Sequence, residues 1–345
     1  MALKDIIGQD RAINILRGCI AKDRIPHALF FAGDEGIGKR LTAVSFAKTL
    51  NCLKTGGEDL FSAGEEHKTD PINNDQIDAC NECPPCAKIE KGNHPDVFII
   101  GPEGEGGQIT VSAIRGLEES LSYKPFEGRW KVAIVDNADR LNQSAANAFL
   151  QTLEEPSAQS ILILVSSRPD MLLPTIKSRC QRINFSPLPV DTMSSLLQEK
   201  FGHTDTGTSI LLSTLSGGRL GYVLNDDLIH QRDWSFGVFK QMLESIEEEI
   251  WEDKEAMEAW FEWSQLILRD IAVYKATGHG AFLINHDKAV EIKSVSQGAG
   301  LRDVLKLARE LYNIKRQLIF NLNRQLTFNY IRLLLRKYLG QNRRR

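Results

Sequence analysis

The chain has 345 residues, 42% hydrophobic and 25% charged, with a formal net charge of −3. That length accommodates two or three cores, and the composition is that of an ordinary globular protein without global attraction to nucleic acid. No apolar run approaches the roughly 18 residues of a membrane helix. The opening MALKDIIGQD lacks the apolar centre of a signal peptide, so a cytoplasmic protein is expected.

In chain order, the first half alternates short apolar runs with helical patterns, which predicts a parallel α/β sheet. The predicted strands are Ala28–Ala32, Val97–Ile100, Val132–Val135, Ile161–Val165 and Arg182–Phe185. Their unbroken apolar character suits strands buried on both faces. Helices are expected after Lys39, over Thr110–Ser122 and over Gln143–Leu153. Residues 55–79 are polar and aperiodic and read as a flexible insertion. Ser186-Pro187-Leu188-Pro189 ends the alternation, and the rest of the chain reads as helical, with loops at Gly202–Gly207 and Gly278–Gly280. A second boundary is expected near Asp226–Asp233. This predicts an α/β domain over 1–187, a small helical segment over 188–228 and an all-helical domain over 229–345. Residues 241–260 hold eight acids against one lysine, and residues 301–345 hold twelve Lys or Arg against two acids. These are expected as solvated helix faces that partly neutralise each other.

Gly33-Asp34-Glu35-Gly36-Ile37-Gly38-Lys39-Arg40 follows the first strand and opens a helix. That is the context a phosphate loop needs, beyond what a plain Gly-rich turn would require. Gly33, Gly36 and Gly38 would let backbone N–H groups wrap a phosphate, and Lys39 would reach its terminal oxygens. The motif ends in Arg40, where a Ser or Thr hydroxyl should hold Mg²⁺. Arginine cannot ligate a cation, and Thr42 is expected to face elsewhere. KVAIVDNAD (131–139) reads as the Walker B strand, with Asp136 on the metal side. Asn137 stands where a glutamate normally activates water, and an amide cannot act as a base. Asp139, three positions on, is expected to point away. ATP or ADP binding stays open; hydrolysis is not expected.

Cys80, Cys83 and Cys86 have two-residue spacers, which in a cytosolic chain point to metal rather than disulfides. Three thiols leave tetrahedral Zn²⁺ one ligand short. Cys52 is the natural fourth, but 27 residues separate it from Cys80, and His67 competes. Three ordinary surface thiols are the plainer alternative. The cluster is flanked by Asp75, Asp78 and Glu82 before Lys88 and Lys91, which favours a structural or subunit-contacting module over phosphate contact. Cys19 and Cys180 read as small buried hydrophobes.

IIGQDRAINILRGCIAKDRIPHALFFAGDEGIGK, VDNADRLNQSAANAFLQTLEEP and LVSSRPDMLLPTIKSRCQRINFSPL resemble the delta-prime subunits of the bacterial DNA polymerase III clamp loader, within the AAA+ superfamily. The resemblance is dense over residues 5–190, and NLNRQLTFNYIRLLL looks like the family's closing helix. It implies an AAA+ (P-loop NTPase) α/β domain with a zinc module inserted at about 50–95, a helical lid (188–228) and an all-helical collar (229–345). It implies that Arg179 of Ser178-Arg179-Cys180 is an arginine finger reaching a neighbour's γ-phosphate. Ser166 and Ser167 match the sensor-1 position, with local hydrogen bonding expected. Arg219 falls one place early for sensor 2, where Leu220 would stand, and receives no role. The implied partners are gamma/tau and delta subunits, with the sliding clamp and primer-template DNA met through the assembly. No catalysis is expected of the chain alone. The alternatives are a hydrolysing gamma/tau-like ATPase, or a zinc-bearing nucleic-acid binder using the basic C-terminus that ends in Arg343-Arg344-Arg345.

Overall fold

The computed structural model describes residues 1–55, 77–104, 107–202, 205–225, 227–244, 251–318 and 322–340. Most of the 55–79 insertion lies outside these residues, as do His67, Glu247–Glu249 and Arg343–Arg345. The chain divides into two compact units. One is Met1–Leu188 with Arg219–Gly221, the other Pro189–Gly218 with Tyr222–Arg345.

The first unit is built on five parallel strands: β1 (Ala28–Ala32), β2 (Val97–Ile100), β3 (Lys131–Val135), β4 (Ser160–Ser166) and β5 (Gln181–Asn184). Their order is β2-β3-β4-β1-β5. Strand β1 therefore lies between the last two strands of the chain, with Phe31 opposite Val165 on one side and Ile183 on the other. Successive side chains point to opposite faces, and both faces are covered. Leu29, Phe31, Val132, Ile134, Ile161 and Ile163 share a core with Leu16 of α1 (Asp10–Ala21), Phe46 and Leu50 of α2 (Lys39–Asn51) and Ile89 of α3 (Pro84–Glu90). Phe30, Ala133, Val135, Leu162 and Leu164 pack on the other face. Their partners are Ile114 and Leu117 of α4 (Val111–Ser122), Phe149 of α5 (Gln143–Glu154) and Ile176 of α6 (Pro174–Lys177). This is the parallel α/β core expected of an AAA+ protein.

The strand ends differ by a residue from their apolar runs. β3 begins at Lys131, whose ammonium donates to the Ser120 carbonyl and lies 5.8 Å from the Tyr123 ring centroid. β4 includes Ser160 and Ser166, both buried and hydrogen-bonded. A polar side chain that finds such a partner can extend a strand that hydrophobicity alone would stop.

The second unit is helical among its described residues: α7 (Val190–Phe201), α8 (Thr206–Leu215), α9 (Leu220–Asn225, whose first two residues group with the sheet), α10 (Leu228–Glu244), α11 (Lys254–Thr277), α12 (Ala289–Gln297), α13 (Leu301–Gln317) and α14 (Arg324–Leu339). Its core is aromatic at the centre, with Trp251 touching Trp260, Phe261 and Phe328. Lys315 of α13 pairs at 2.6 Å with Glu262 of α11, which lies just beyond the acidic stretch 241–260, and Arg324 donates to the backbone carbonyls of Trp251 and Glu252. No described helix is long and apolar enough to cross a membrane.

Candidate functional site

The phosphate loop forms the turn from β1 to α2. Gly33, Gly36 and Gly38 all have positive φ. At Gly33 (φ +151°) a Cβ would lie 2.5 Å from the Phe185 carbonyl oxygen, so only glycine fits there. Buried Gln9 ties the loop to the end of the sheet: its amide donates to Ile37 O (3.3 Å) and Ser186 O (2.8 Å) and accepts from Ser186 N–H (3.3 Å). Gly221 N–H donates to Gly36 O at 2.8 Å, and a Cβ there would meet that oxygen at 2.9 Å. Neither Gln9 nor Gly221 stands out in the sequence, because bonds between distant segments leave no periodic trace.

The cationic groups of the loop are turned onto the protein itself. Lys39 is buried and donates to Gly33 O at 2.7 Å and to Asp34 O. Burial lowers its pKa, against the raising influence of Glu35, Asp34, Asp136 and Asp139. Arg40 Nη1 lies 3.5 Å from Asp136 Oδ2. A guanidinium therefore faces the carboxylate that would serve a metal ion. Thr42, as expected, is spent elsewhere, donating to Gly38 O at 2.9 Å.

Asn137 adopts the left-handed conformation (φ 50°) that asparagine tolerates. Contrary to expectation, Asp139 does not point away. It lines a cavity of about 220 Å³ together with Glu35, Asn137, Arg140, Ser167 and Arg168. The reason is the short 3₁₀ turn Ala138–Arg140 after β3, which brings Asp139 back towards the end of β4. There Ser166 Oγ donates to Asp139 Oδ1 at 2.6 Å and accepts from Arg168 N–H. That is the local bonding expected of Ser166, and it engages one oxygen of the Asp139 carboxylate.

Arg40→Ser removes the guanidinium and leaves Asp136 free to serve a metal. Mg²⁺ is then expected to strengthen binding of a fluorescent ATP analogue at least about tenfold, against little or no effect in the wild type. Titrations with and without Mg²⁺ check this, and identical Mg²⁺ dependence in the two proteins would refute it.

Arg179 follows α6 just before β5. Its guanidinium pairs with Glu154 at 2.6 Å and donates to Thr175 O at 3.1 Å, and Ser178 Oγ donates to the same carbonyl. Because Gln181 of β5 sits opposite Leu29 of β1, Arg179 lies towards the start of the strands. The phosphate loop lies past their other end, about 20 Å away at 3.3 Å per residue. The arginine is too far to serve this chain's own loop. Burial pushes the neighbouring Cys180 thiol up to about 12, so it stays protonated.

The four clustered cysteines come together. Cys52 ends α2, Cys83 caps α3, Cys86 lies within α3, and all four Sγ atoms lie within 4.8 Å of one another. Backbone N–H groups of Cys80 and Cys83 donate to the sulfurs of Cys52 (3.4 Å) and Cys80 (3.3 Å). Burial raises the Cys52 thiol, but bonds from Thr55, Cys80 and Lys54 outweigh it and bring the pKa down to about 6. Burial and Cys83 raise Cys86. Four converging sulfurs with N–H support fit tetrahedral Zn²⁺, whose Zn–S bonds of about 2.3 Å place sulfurs nearly 4 Å apart. These cysteines can therefore hold zinc. The N-terminal segment closes over them: Ala2 is buried among Cys52, Cys83 and Cys86, and Asp78 accepts the N–H groups of Leu3 and Lys4, each at 2.8 Å.

Residues 8–189, more than half of the chain, match the family described as "DNA polymerase III, delta subunit". The chain belongs to this family. Residues 245–336 match "DNA polymerase III, delta subunit, C terminal". Subunit delta′ of DNA polymerase III from Bacillus subtilis is 34% identical over 192 residues, covering 56% of this chain and 52% of that protein. The Pseudomonas aeruginosa subunit delta′ is 37% identical over 163 residues (47% and 44%). The Bacillus subtilis subunit tau is 31% identical over 220 residues (62% and 35%). The chain thus spans about half or less of the length of these relatives. Both kinds of subunit resemble this chain at comparable identity, so overall similarity does not choose between them.

Proposed function

We propose that this chain is a non-hydrolysing delta-prime subunit of the DNA polymerase III clamp loader. The observation that carries the reading is the Arg40–Asp136 pair, which puts the chain's own cation against the carboxylate that an ATPase keeps for Mg²⁺. Asn137 supports it, since an amide cannot act as a base for water, as does the hydrogen bond that Ser166 places on Asp139. In this reading Arg179 completes the nucleotide site of a neighbouring gamma/tau subunit. Its exposed pair with Glu154 holds it at little cost, since such pairs contribute about 0–1 kcal/mol and exchange readily. The lid (188–228) and collar (229–345) carry the subunit into a hetero-oligomer with gamma/tau and delta, which opens the sliding clamp on primed DNA. Zn²⁺ on Cys52, Cys80, Cys83 and Cys86 is structural: with four protein ligands the site has no open position for chemistry.

The test is ATP turnover by the purified chain, alone and then mixed with tau-type subunits. No turnover alone and increased turnover in the mixture are expected. Mg²⁺-dependent hydrolysis by the chain alone would replace this reading with the gamma/tau-like one.

A further inference from the structure

The loop between α4 and β3, Tyr123-Lys124-Pro125-Phe126-Glu127-Gly128-Arg129-Trp130, serves none of the sites described above. Phe126 is 85% exposed, the most exposed large hydrophobic side chain among the described residues, and Tyr123 is 67% exposed. A single exposed aromatic on a loose loop would mean little. This loop is held by two buried polar side chains. Asp96, with no exposed surface, accepts the N–H groups of Phe126 (2.7 Å), Glu127 (2.9 Å) and Gly128 (2.8 Å). Asn51 accepts those of Arg129 (2.9 Å) and Trp130 (3.0 Å) and donates to Trp130 O. Gly128 is needed for that approach, since a Cβ there would lie 2.7 Å from Asn51 Oδ1. Glu127 is drawn inwards to Lys88 (2.5 Å) and His94 (3.5 Å).

All six bonds go to backbone groups, five N–H and one carbonyl, so the loop's conformation does not depend on the Phe126 ring. What the arrangement achieves is to hold in place the backbone that presents that ring outwards. An aromatic anchor whose ordering cost is already met in the free protein is the usual form of a binding hot spot. The charges specify the partner. Lys124 and Arg129 are exposed and have no ion-pair partner among the described residues, and the loop's one acid is occupied.

We infer that this loop is a docking knob for a protein partner, with Phe126 entering an apolar pocket rimmed by acidic residues. Its anchors belong to α2 and the start of β2, on the sheet face opposite α5 and α6, where Glu154 and Arg179 lie. It sits at the start of the strands, the same end as Arg179, so the separation from Arg179 is by sheet face alone. The contact is therefore additional to the arginine-finger interface, and it rests on the proposed function only for the choice of probes.

The test passes purified sliding clamp, tau-type subunit and delta-type subunit, each separately, over the immobilised full chain. At least one is expected to bind the wild type and to bind Phe126→Ala at least about tenfold more weakly, with the variant's melting curve unchanged. Lys124→Glu with Arg129→Glu should slow association of the same probe and flatten its salt dependence. If every probe that binds the wild type binds Phe126→Ala equally, the knob is refuted while the assembly reading stands. If no probe binds the wild type, the assembly reading fails and takes the knob with it. A loss confined to a dT20 oligonucleotide would make the loop a base-stacking platform and overturn the proposal.

Discussion

Arg179→Ala is expected, on the proposed function, to slow hydrolysis at a neighbouring subunit's nucleotide site by about 10³-fold without dispersing the complex. Developing charge on a transferring phosphoryl group calls for a planar, permanently charged donor, which lysine does not reproduce. Arg179→Lys should therefore recover only a small part of the loss. In the free chain the guanidinium is held by Glu154 and Thr175 O, so Glu154→Ala should leave hydrolysis near wild type or raise it slightly. Steady-state turnover of the assembled complex with primed DNA, alongside size-exclusion chromatography, reads both consequences. Unchanged turnover in an intact Arg179→Ala complex would mean that the arginine serves only α6 and its neighbours.

The second large effect concerns metal. With Zn²⁺ bound as proposed, a chelator is expected to unfold the cysteine module and free the first residues of the chain together. Structural zinc contributes on the order of 10–16 kcal/mol of apparent binding energy in small modules, far more than the contacts around this one can replace. Ala2 has no exposed surface and lies among the sulfurs. Buried Lys48 links Met1 O (2.9 Å) to Asn81 Oδ1 (2.6 Å) and also meets Glu90 of α3. Hydrogen exchange should then rise in peptides covering Met1–Ile6 and Ala79–Glu90, while the β3–β4 peptides stay protected. Cys83→Ser should reproduce the pattern without chelator. Protection unaffected by chelation would show that the cluster packs without a metal.

Much of this architecture was legible in the sequence because burial on both faces writes unbroken apolar runs. ALFFA and ILILV could hardly be anything but central strands, and the phosphate loop followed from its place between a strand and a helix. The defects at Arg40 and Asn137 were equally plain, since a motif defines what each position should be. Long-range polar contacts carry no such pattern. Gln9, Asn51 and Asp96 each look like ordinary surface residues, yet each is buried and holds backbone many positions away. Asp139 was misplaced for a related reason: counting along an extended strand fails where a 3₁₀ turn begins. The fourth cysteine was open because the spacing to Cys80 is long, and only the three-dimensional path of α2 brings Cys52 alongside.

The strand order has a consequence for how the protein is made. β1 is the first strand synthesised, yet both of its neighbours, β4 and β5, are the last. About 130 residues must follow β1 before β4 begins. At translation rates of about 5–20 residues per second, that leaves an adhesive five-residue apolar segment waiting roughly 6–26 s for its first partner. High contact order of this kind makes folding slow and exposes the nascent chain to misassociation. The position between β4 and β5 that buries β1 so completely in the finished protein is thus the one that leaves it longest unprotected on the ribosome, where a chaperone that shields short apolar stretches would have the most to contribute.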